Sequence, residues 1–557
     1  MNIQPHLYTL NVLLSERLFR IPEYQRSYSW TKKERADLFS DIEKIGTDTH
    51  FMATIVGLRR ETKNILTTDF HVIDVVDGQQ RLTTLVVLLK AIEKALDSSN
   101  AAEIVVAEEL RSLLVKKDEL APVLLQTNHD SCQHCVTYLR KGTYASPADA
   151  KTVADRCLLD AIAECEVFVA DWKNSRPLIQ LVATLKNKLT FIFHELDNEA
   201  VVYTVFEVLN SRGLDVSWFD RLKSMLMGLA FSAQTGTSEE MIAELHRLWR
   251  DIYECIGLRQ GLSTETLKFA ATLRTDDEPS RQLSEEDSVV LLRTRSRQAP
   301  KKVIEITEWI LSVAKAVDEL WADRRRAGVL QIGQARLLAT SILLRHDLSP
   351  ENREKLLGLW ERVTFRIYGM YSKDARTKVG DYVRLAWVVA NSNPTMAEIE
   401  AGLREIGSEF PVAKAVAELR DTDCYSKWQP QLRYFLFRYE EYLAHQQGQK
   451  FNNEQWSKIW EVSAADSIEH IQPQSKGVQQ PTTTGIFVHR LGNLMLLPPR
   501  LNSKLQDEEP TKKKGSYVMT GLLQAVDVAA RIPTWDRAAV AKREDELLAW
   551  AEHQWAD

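Results

Sequence analysis

Two periodicities alternate along the chain and divide it into segments. HVIDVVD (71–77) is a β-branched run of the kind that forms a buried strand. Gly78 interrupts it, and QQRLTTLVVLLKAIEKAL (79–96) then repeats its apolar positions every three or four residues, which predicts a helix. Thr31 followed by Glu34 has the spacing of a capping box and predicts a helix over TKKERADLFSDIEKI. LTFIFHEL (189–196) predicts a second strand. It leads into a helix ending near Asn210, a turn at Gly213, and another helix opened by Ser217 with Asp220 at its third position.

Beyond residue 230 the pattern becomes almost wholly helical. Amphipathic runs recur at 240–256, 301–326, 351–369 and 430–445, with Ser349-Pro350 as a cap followed by a first-turn proline. The polar stretch TDDEPSRQLSEED (275–287) predicts a loop between helices. From 446 onward, short apolar pieces alternate with Gln-, Thr- and Pro-rich loops before a closing helix near 537–553. The expectation is a multidomain, predominantly helical α+β protein with segments 1–230, 231–445 and 446–557. At 557 residues the chain exceeds what one core ordinarily serves.

Composition narrows the class. With 44% hydrophobic and 27% charged residues the chain matches ordinary globular proteins. No apolar run reaches the ~18 residues of a membrane span, and the first residues lack the basic and apolar regions of a signal peptide. Six irregularly spaced cysteines form no secreted disulfide framework, which points to the reducing cytoplasm. In HDSCQHC (129–135), Cys132 and Cys135 with His129 and His134 lack the second ligand pair of a structural zinc site and read as a reduced surface thiol pair. A net charge of −6 argues against a general polyanion-coating protein but permits a nuclease with a local basic groove. The basic runs at 291–302, 324–326 and 512–514 read as solvated helix surface.

Chemistry concentrates at two places. In SIEHIQPQS (467–475) and HRLGNLMLLPPRLN (489–502), Glu469-His470 precedes Pro473, Gly492-Asn493 and Asn502. SIEHI and HRLGNLMLL predict two strands, and PPRLNSKL predicts the start of a helix, a ββα unit. Carboxylate and amide oxygens suit a hard cation such as Mg²⁺ or Mn²⁺, and a neutral histidine can take a proton from attacking water. The set resembles the HNH (His-Me finger) nuclease motif. That resemblance implies His470 as general base, Glu469 and Asn502 as metal ligands, and Asn493 as the residue fixing the loop that orients His470. Glu469 stands where many such proteins have Asp, and His489 is a further candidate ligand or phosphate contact.

The second concentration lies upstream, in IPEYQRSYSW (21–30), DGQQR (77–81) and FEVLNSRGLDVSWFDRLK (206–223). A strand ending at Asp77, a turn at Gly78 and a helix start form an anion site, with Arg81 in the first turn to pair a phosphate. No GxxxxGK[ST] sequence occurs, so this is no P-loop. The three segments in order resemble the ParB/sulfiredoxin-like NTPase domain of GmrSD-type modification-dependent (type IV) restriction enzymes. That resemblance implies a nucleotide site of Gln25, Arg26, Asp77, Gly78, Gln79, Gln80 and Arg81, closed by Asn210, Arg212, Asp220 and Lys223. It further implies an NTP-dependent or NTP-regulated endonuclease cleaving double-stranded, base-modified phage DNA. The NTP is left open among GTP, ATP, UTP and CTP, and a homodimer is compatible with the sequence. Two other readings stand beside it: a nucleotide-gated, nonspecific nuclease acting as an abortive-infection effector, and a nucleotide-sensing binding protein with an inactive HNH fold.

Overall fold

The computed structural model describes residues 5–22, 25, 27–46, 49–65, 67–116, 122–126, 131–196, 217–232, 239–297, 299–426, 428–450, 464–475 and 485–557. They group into two compact units, one of Met1–Leu267 with Ser284–Ala314 and one of Lys268–Leu283 with Lys315–Asp557. The helical stretch 231–445 is thereby shared between the units.

The first unit is built on a six-stranded mixed sheet. Its strands are β1 (Pro5–Thr9), β2 (Arg17–Ile21), β3 (His50–Ile65), β4 (Thr68–Asp77), β5 (Leu124–Gln126) and β6 (Leu189–Leu196). The order across the sheet is β1-β6-β3-β4-β2-β5. β3 and β4 pair antiparallel, while β2 runs parallel to both β4 and β5. Side chains alternate across the pleat. Phe19, Ile73 and Val75 join the main core, and Leu18, Phe70 and Val72 form a smaller cluster on the other face.

Helix α1 (Lys32–Lys44) begins as the capping spacing predicts, with the Thr31 and Glu34 side chains each bonding the other's backbone end. Helix α2 (Gln79–Ala95) is buried along nearly its whole length beside the sheet core. Gly78 joins β4 to α2 with φ +90°, and a Cβ there would lie 2.9 Å from Ile55 Cγ1. Both the left-handed turn and the close approach require glycine. Helix α3 (Trp218–Ser232) opens at Ser217, whose Oγ accepts the Asp220 amide at 3.1 Å. Helix α4 (Glu239–Ile256) follows. The predicted helix end near Asn210 and the turn at Gly213 lie outside the described residues.

In the second unit, helix α5 (Pro350–Thr364) starts at the Ser349 cap and runs into a π-helical turn, Phe365–Met370. Helix α6 (Gln429–Gln446) precedes a two-stranded antiparallel ribbon, β7 (Ile468–His470) and β8 (Leu494–Leu496), and helix α7 (Pro499–Leu505). Helices α8 (Pro510–Met519) and α9 (Arg537–Gln554) complete it, closing on a core of Met495, Leu497, Tyr517, Trp535 and Val540.

Several expectations are corrected. The second strand of the ribbon covers only 494–496, because Leu491–Asn493 forms a 3₁₀ turn. The polar stretch 275–287 ends as helix, with Ser284 capping Glu285–Ser296. Two of the basic runs are not wholly solvated. Arg326 is buried against Asp323, Glu354 and Glu361, and Lys513 has no exposed surface. Cys135 is also fully buried and so is no surface thiol; His129 and the Cys132 side chain lie outside the described residues. Among the described residues no helix is long and apolar enough to cross a membrane.

Candidate active site

Ribbon pairing sets the C-terminal site. Glu469 lies opposite Met495 and His470 opposite Leu494, so both chemical residues sit on a strand three residues long. Asn493, at the mouth of β8, is wholly buried, and its side chain makes four hydrogen bonds. Its Oδ1 accepts Gln472 N at 2.8 Å and Trp535 Nε1 at 3.1 Å; its Nδ2 donates to Gln472 O at 3.0 Å and Val488 O at 2.8 Å. An amide with four partners has no capacity left for a ligand. Asn493 therefore fastens the segment following His470. Gly492 beside it serves close approach, because a Cβ would fall 2.0 Å from Val540 O of α9. Arg543 of α9 donates to Gly492 O at 2.9 Å and to Leu494 O at 2.7 Å.

His470 is 5% exposed at the wall of a cavity of about 650 Å³. Its Nε2 lies 3.0 Å from His489 Nδ1, and its Nδ1 accepts Gln474 Nε2 at 3.1 Å. Burial, then the neighbouring His489 and Lys513, push the imidazole down to about 3 against the opposing pull of Asp423. It is neutral at pH 7 and able to accept a proton. Tyr425 meets its ring edge-on, with centroids 4.4 Å apart.

Asn502 reaches back from α7 to donate Nδ2 to Asp466 O at 3.0 Å and Ile468 O at 3.1 Å. With the nitrogen committed, Oδ1 is the atom of the amide left for a cation. Glu469 has a second role that the sequence did not suggest. Its Oε1 accepts Lys513 Nζ at 2.8 Å and Tyr517 OH at 2.7 Å, while Lys513 Nζ also donates to His470 O at 2.8 Å. Burial raises the Glu469 carboxyl against the lowering influence of Lys513 and Tyr517. Both side-chain bonds end on Oε1, and the His470 backbone amide further favours the carboxylate form. Asp466, Glu469, Asn502 and Asp507 all line the cavity, oxygen donors of the kind a hard divalent ion takes, but among the described residues no three His, Cys, Asp or Glu side chains are grouped to hold a metal ion.

KKK at 512–514 has the pattern of a surface run, yet its middle residue, Lys513, turns inward, and Tyr517 one turn on is buried with it. Tyr425 and Gln474 gave no signal because their partners are distant in sequence or lie within an ordinary turn.

At the N-terminal junction, two expected ligand residues are spent on backbone. Gln25 Nε2 donates to Val76 O at 2.7 Å. Gln80 accepts Ser29 N at 2.8 Å and Trp30 N at 3.4 Å through Oε1, and donates to Ser27 O at 3.0 Å. Tyr28 OH and Thr84 Oγ1 are 2.8 Å apart. Segment 27–30 is thus fastened to α2, and the two motifs are one structural unit. Arg81, by contrast, makes no hydrogen bond or ion pair among the described residues. It lies over the Trp30 ring at 5.6 Å, with burial lowering its pKa against the opposing effect of Asp77 and Asp41. A half-desolvated guanidinium beside a helix N-terminus suits an anion. Asp77, Gly78 and Gln79 stand at this same junction.

In α3, Asp220 accepts Ser217 Oγ at 2.7 Å and also the Tyr253 hydroxyl, and Lys223 lies over the Tyr253 ring at 5.3 Å. Arg26, Asn210 and Arg212 lie outside the described residues.

Comparison with protein families finds two matches. Residues 10–227 match the GmrSD restriction endonuclease N-terminal domain, and residues 413–550 match the GmrSD restriction endonucleases C-terminal domain. No curated protein matches the chain.

Proposed function

Because the chain belongs to the GmrSD restriction endonuclease family, we propose that it hydrolyses foreign DNA at an HNH site under the control of a nucleotide bound near Arg81. The observation carrying the nuclease reading is the seating of a neutral His470 in an oxygen-lined cavity. His470 Nδ1 takes a proton from the attacking water as general base. Asn502 Oδ1 and the Glu469 carboxylate are the groups that would hold Mg²⁺ or Mn²⁺, and the ion when bound stabilises charge on the phosphate. Asn493 and Lys513 hold the strand that presents the base. Upstream, Arg81 in the first turn of the helix after Gly78 binds the nucleotide's phosphates, while Gln25 and Gln80 keep the surrounding loop in place. The substrate is double-stranded phage DNA carrying modified bases.

The test incubates wild type, His470→Ala and Arg81→Ala with modified and unmodified DNA, with and without each NTP, in Mg²⁺ or Mn²⁺. His470→Ala should abolish cutting and retain NTP hydrolysis, whereas Arg81→Ala should lose hydrolysis. Normal cutting by His470→Ala removes the site assignment. Equal cutting of modified and unmodified DNA points to the nonspecific effector, and intact DNA under every condition to a nucleotide-binding protein with an idle nuclease fold.

A further inference from the structure

His489 lies 19 residues from His470 in sequence, yet the two rings are hydrogen-bonded. Taking His470 as the base, as proposed above, we infer that His489 is a positioning residue that selects the His470 tautomer, and that Tyr425 in turn fixes His489.

The proton assignment follows from the chain of donors. The Gln474 amide nitrogen can only donate, so His470 Nδ1 is an acceptor. A neutral imidazole carries one proton, so that proton sits on Nε2 and is donated to His489 Nδ1 across 3.0 Å. This is the tautomer a water-activating base needs, with its lone pair on the nitrogen opposite the orienting partner.

His489 is itself immobilised on two sides. Its carbonyl oxygen accepts Cys424 N at 3.0 Å, and its ring stacks on Tyr425 at 5.4 Å with 9° between planes. The turn carrying Tyr425 is closed by Asp423 Oδ1, which accepts Tyr425 N at 3.1 Å and Ser426 N at 2.8 Å. One tyrosine therefore touches both imidazoles, edge-on to His470 and flat on His489.

In the reaction, water displaces the exposed Gln474 amide from Nδ1 and transfers a proton there as its oxygen bonds to phosphorus. The phosphorus–oxygen bond to the leaving strand breaks, and that oxygen gains a proton from solvent. His470 Nε2–H keeps donating to His489 throughout, so no proton passes between the rings. His489 does for His470 what a carboxylate does for the histidine of a hydrolase triad: it accepts the Nε2 proton and so fixes the tautomer.

Two variants separate the hydrogen bond from the stack. His489→Phe keeps a ring against Tyr425 and removes the acceptor; His489→Asn keeps an acceptor near the position of Nδ1 and removes the ring. The readouts are the ¹⁵N shifts of His470 in the full-length, histidine-labelled protein, assigned by difference with His470→Gln, and steady-state cutting of DNA. Wild type and His489→Asn should show the Nε2–H tautomer. His489→Phe should show a tautomer mixture and a fall in kcat of about 10²-fold or more with KM little changed. Asn should restore most of that loss. An Nδ1–H tautomer in wild type overturns the inference without any variant, as does wild-type kcat in a folded His489→Phe. Failure of the nuclease reading appears separately, as intact DNA in the presence of wild-type protein, and leaves the tautomer measurement standing.

Discussion

A histidine enclosed as His470 is loses much of the solvation that stabilises its cationic form, and its neighbours His489 and Lys513 add to the cost of protonation. Its affinity for protons therefore falls from about 6.5 in the unfolded chain to about 3 in the folded one. Between those values the unfolded state binds a proton that the native state refuses, so stability drops as pH falls from 6.5 toward 3. Above pH 6.5 both states are neutral and this contribution is complete. The limiting slope for one such proton is ~1.4 kcal/mol per pH unit. Urea denaturation in metal-free buffer between pH 4.5 and 7 should show His470→Gln losing part of the wild-type slope, with shared carboxylate effects cancelling in the difference. A wild-type-to-variant gap that stays constant with pH would remove this account. Residue identity was legible here and residue environment was not. His470 stands out in the sequence by its acidic neighbour and following proline, and His489 as a candidate ligand, whereas the contact between the two rings and the partners Gln474 and Tyr425 belong to folded geometry alone.

Elements defined by local signals are legible in the sequence. β6 spans the predicted 189–196, α1 begins at its capping box, and α5 begins at the Ser349 cap. HRLGNLMLL is apolar enough to predict a longer strand, and only the folded state reveals the competing interaction. There Asn493 captures backbone groups of Val488 and Gln472, which favours a turn over a ladder before Leu494. Lys513 shows the same limit on a helix. It faces inward between exposed Lys512 and Lys514, and its ammonium ties α8 to β7 through Glu469 Oε1 and His470 O. Removing one member of a buried pair leaves the other uncompensated, at a typical cost of ~3–5 kcal/mol. Lys513→Met should therefore destabilise the protein strongly in equilibrium unfolding, and Glu469→Gln combined with Lys513→Met should recover part of the loss. A double variant no more stable than Lys513→Met would show that the pair is not the source of the effect.

At the scale of the whole chain, the nuclease and nucleotide readings rest on different residues and can fail independently. The formal charge of −6 gives no general attraction for polyphosphate, so nucleotide affinity must come from local groups. Arg81 over Trp30 is the local group in hand, and the fastening of 27–30 by Gln80 keeps Trp30 beneath the guanidinium. A ligand bound only by the folded state stabilises it by RT ln(1 + [L]/Kd), about 2.7 kcal/mol at a hundredfold excess over Kd. Thermal denaturation with each NTP should thus raise the Tm of the wild-type protein by several degrees for the preferred nucleotide. His470→Ala should show the same rise, because its site is chemically separate, while Arg81→Ala should show little or none. The contrast needs no DNA and no hydrolysis, so it isolates binding from both activities. A rise in Arg81→Ala equal to that of wild type would move the nucleotide away from the Gly78 junction. The remaining candidates would then be Asp220 and Lys223, already grouped around Tyr253 on α3 and α4.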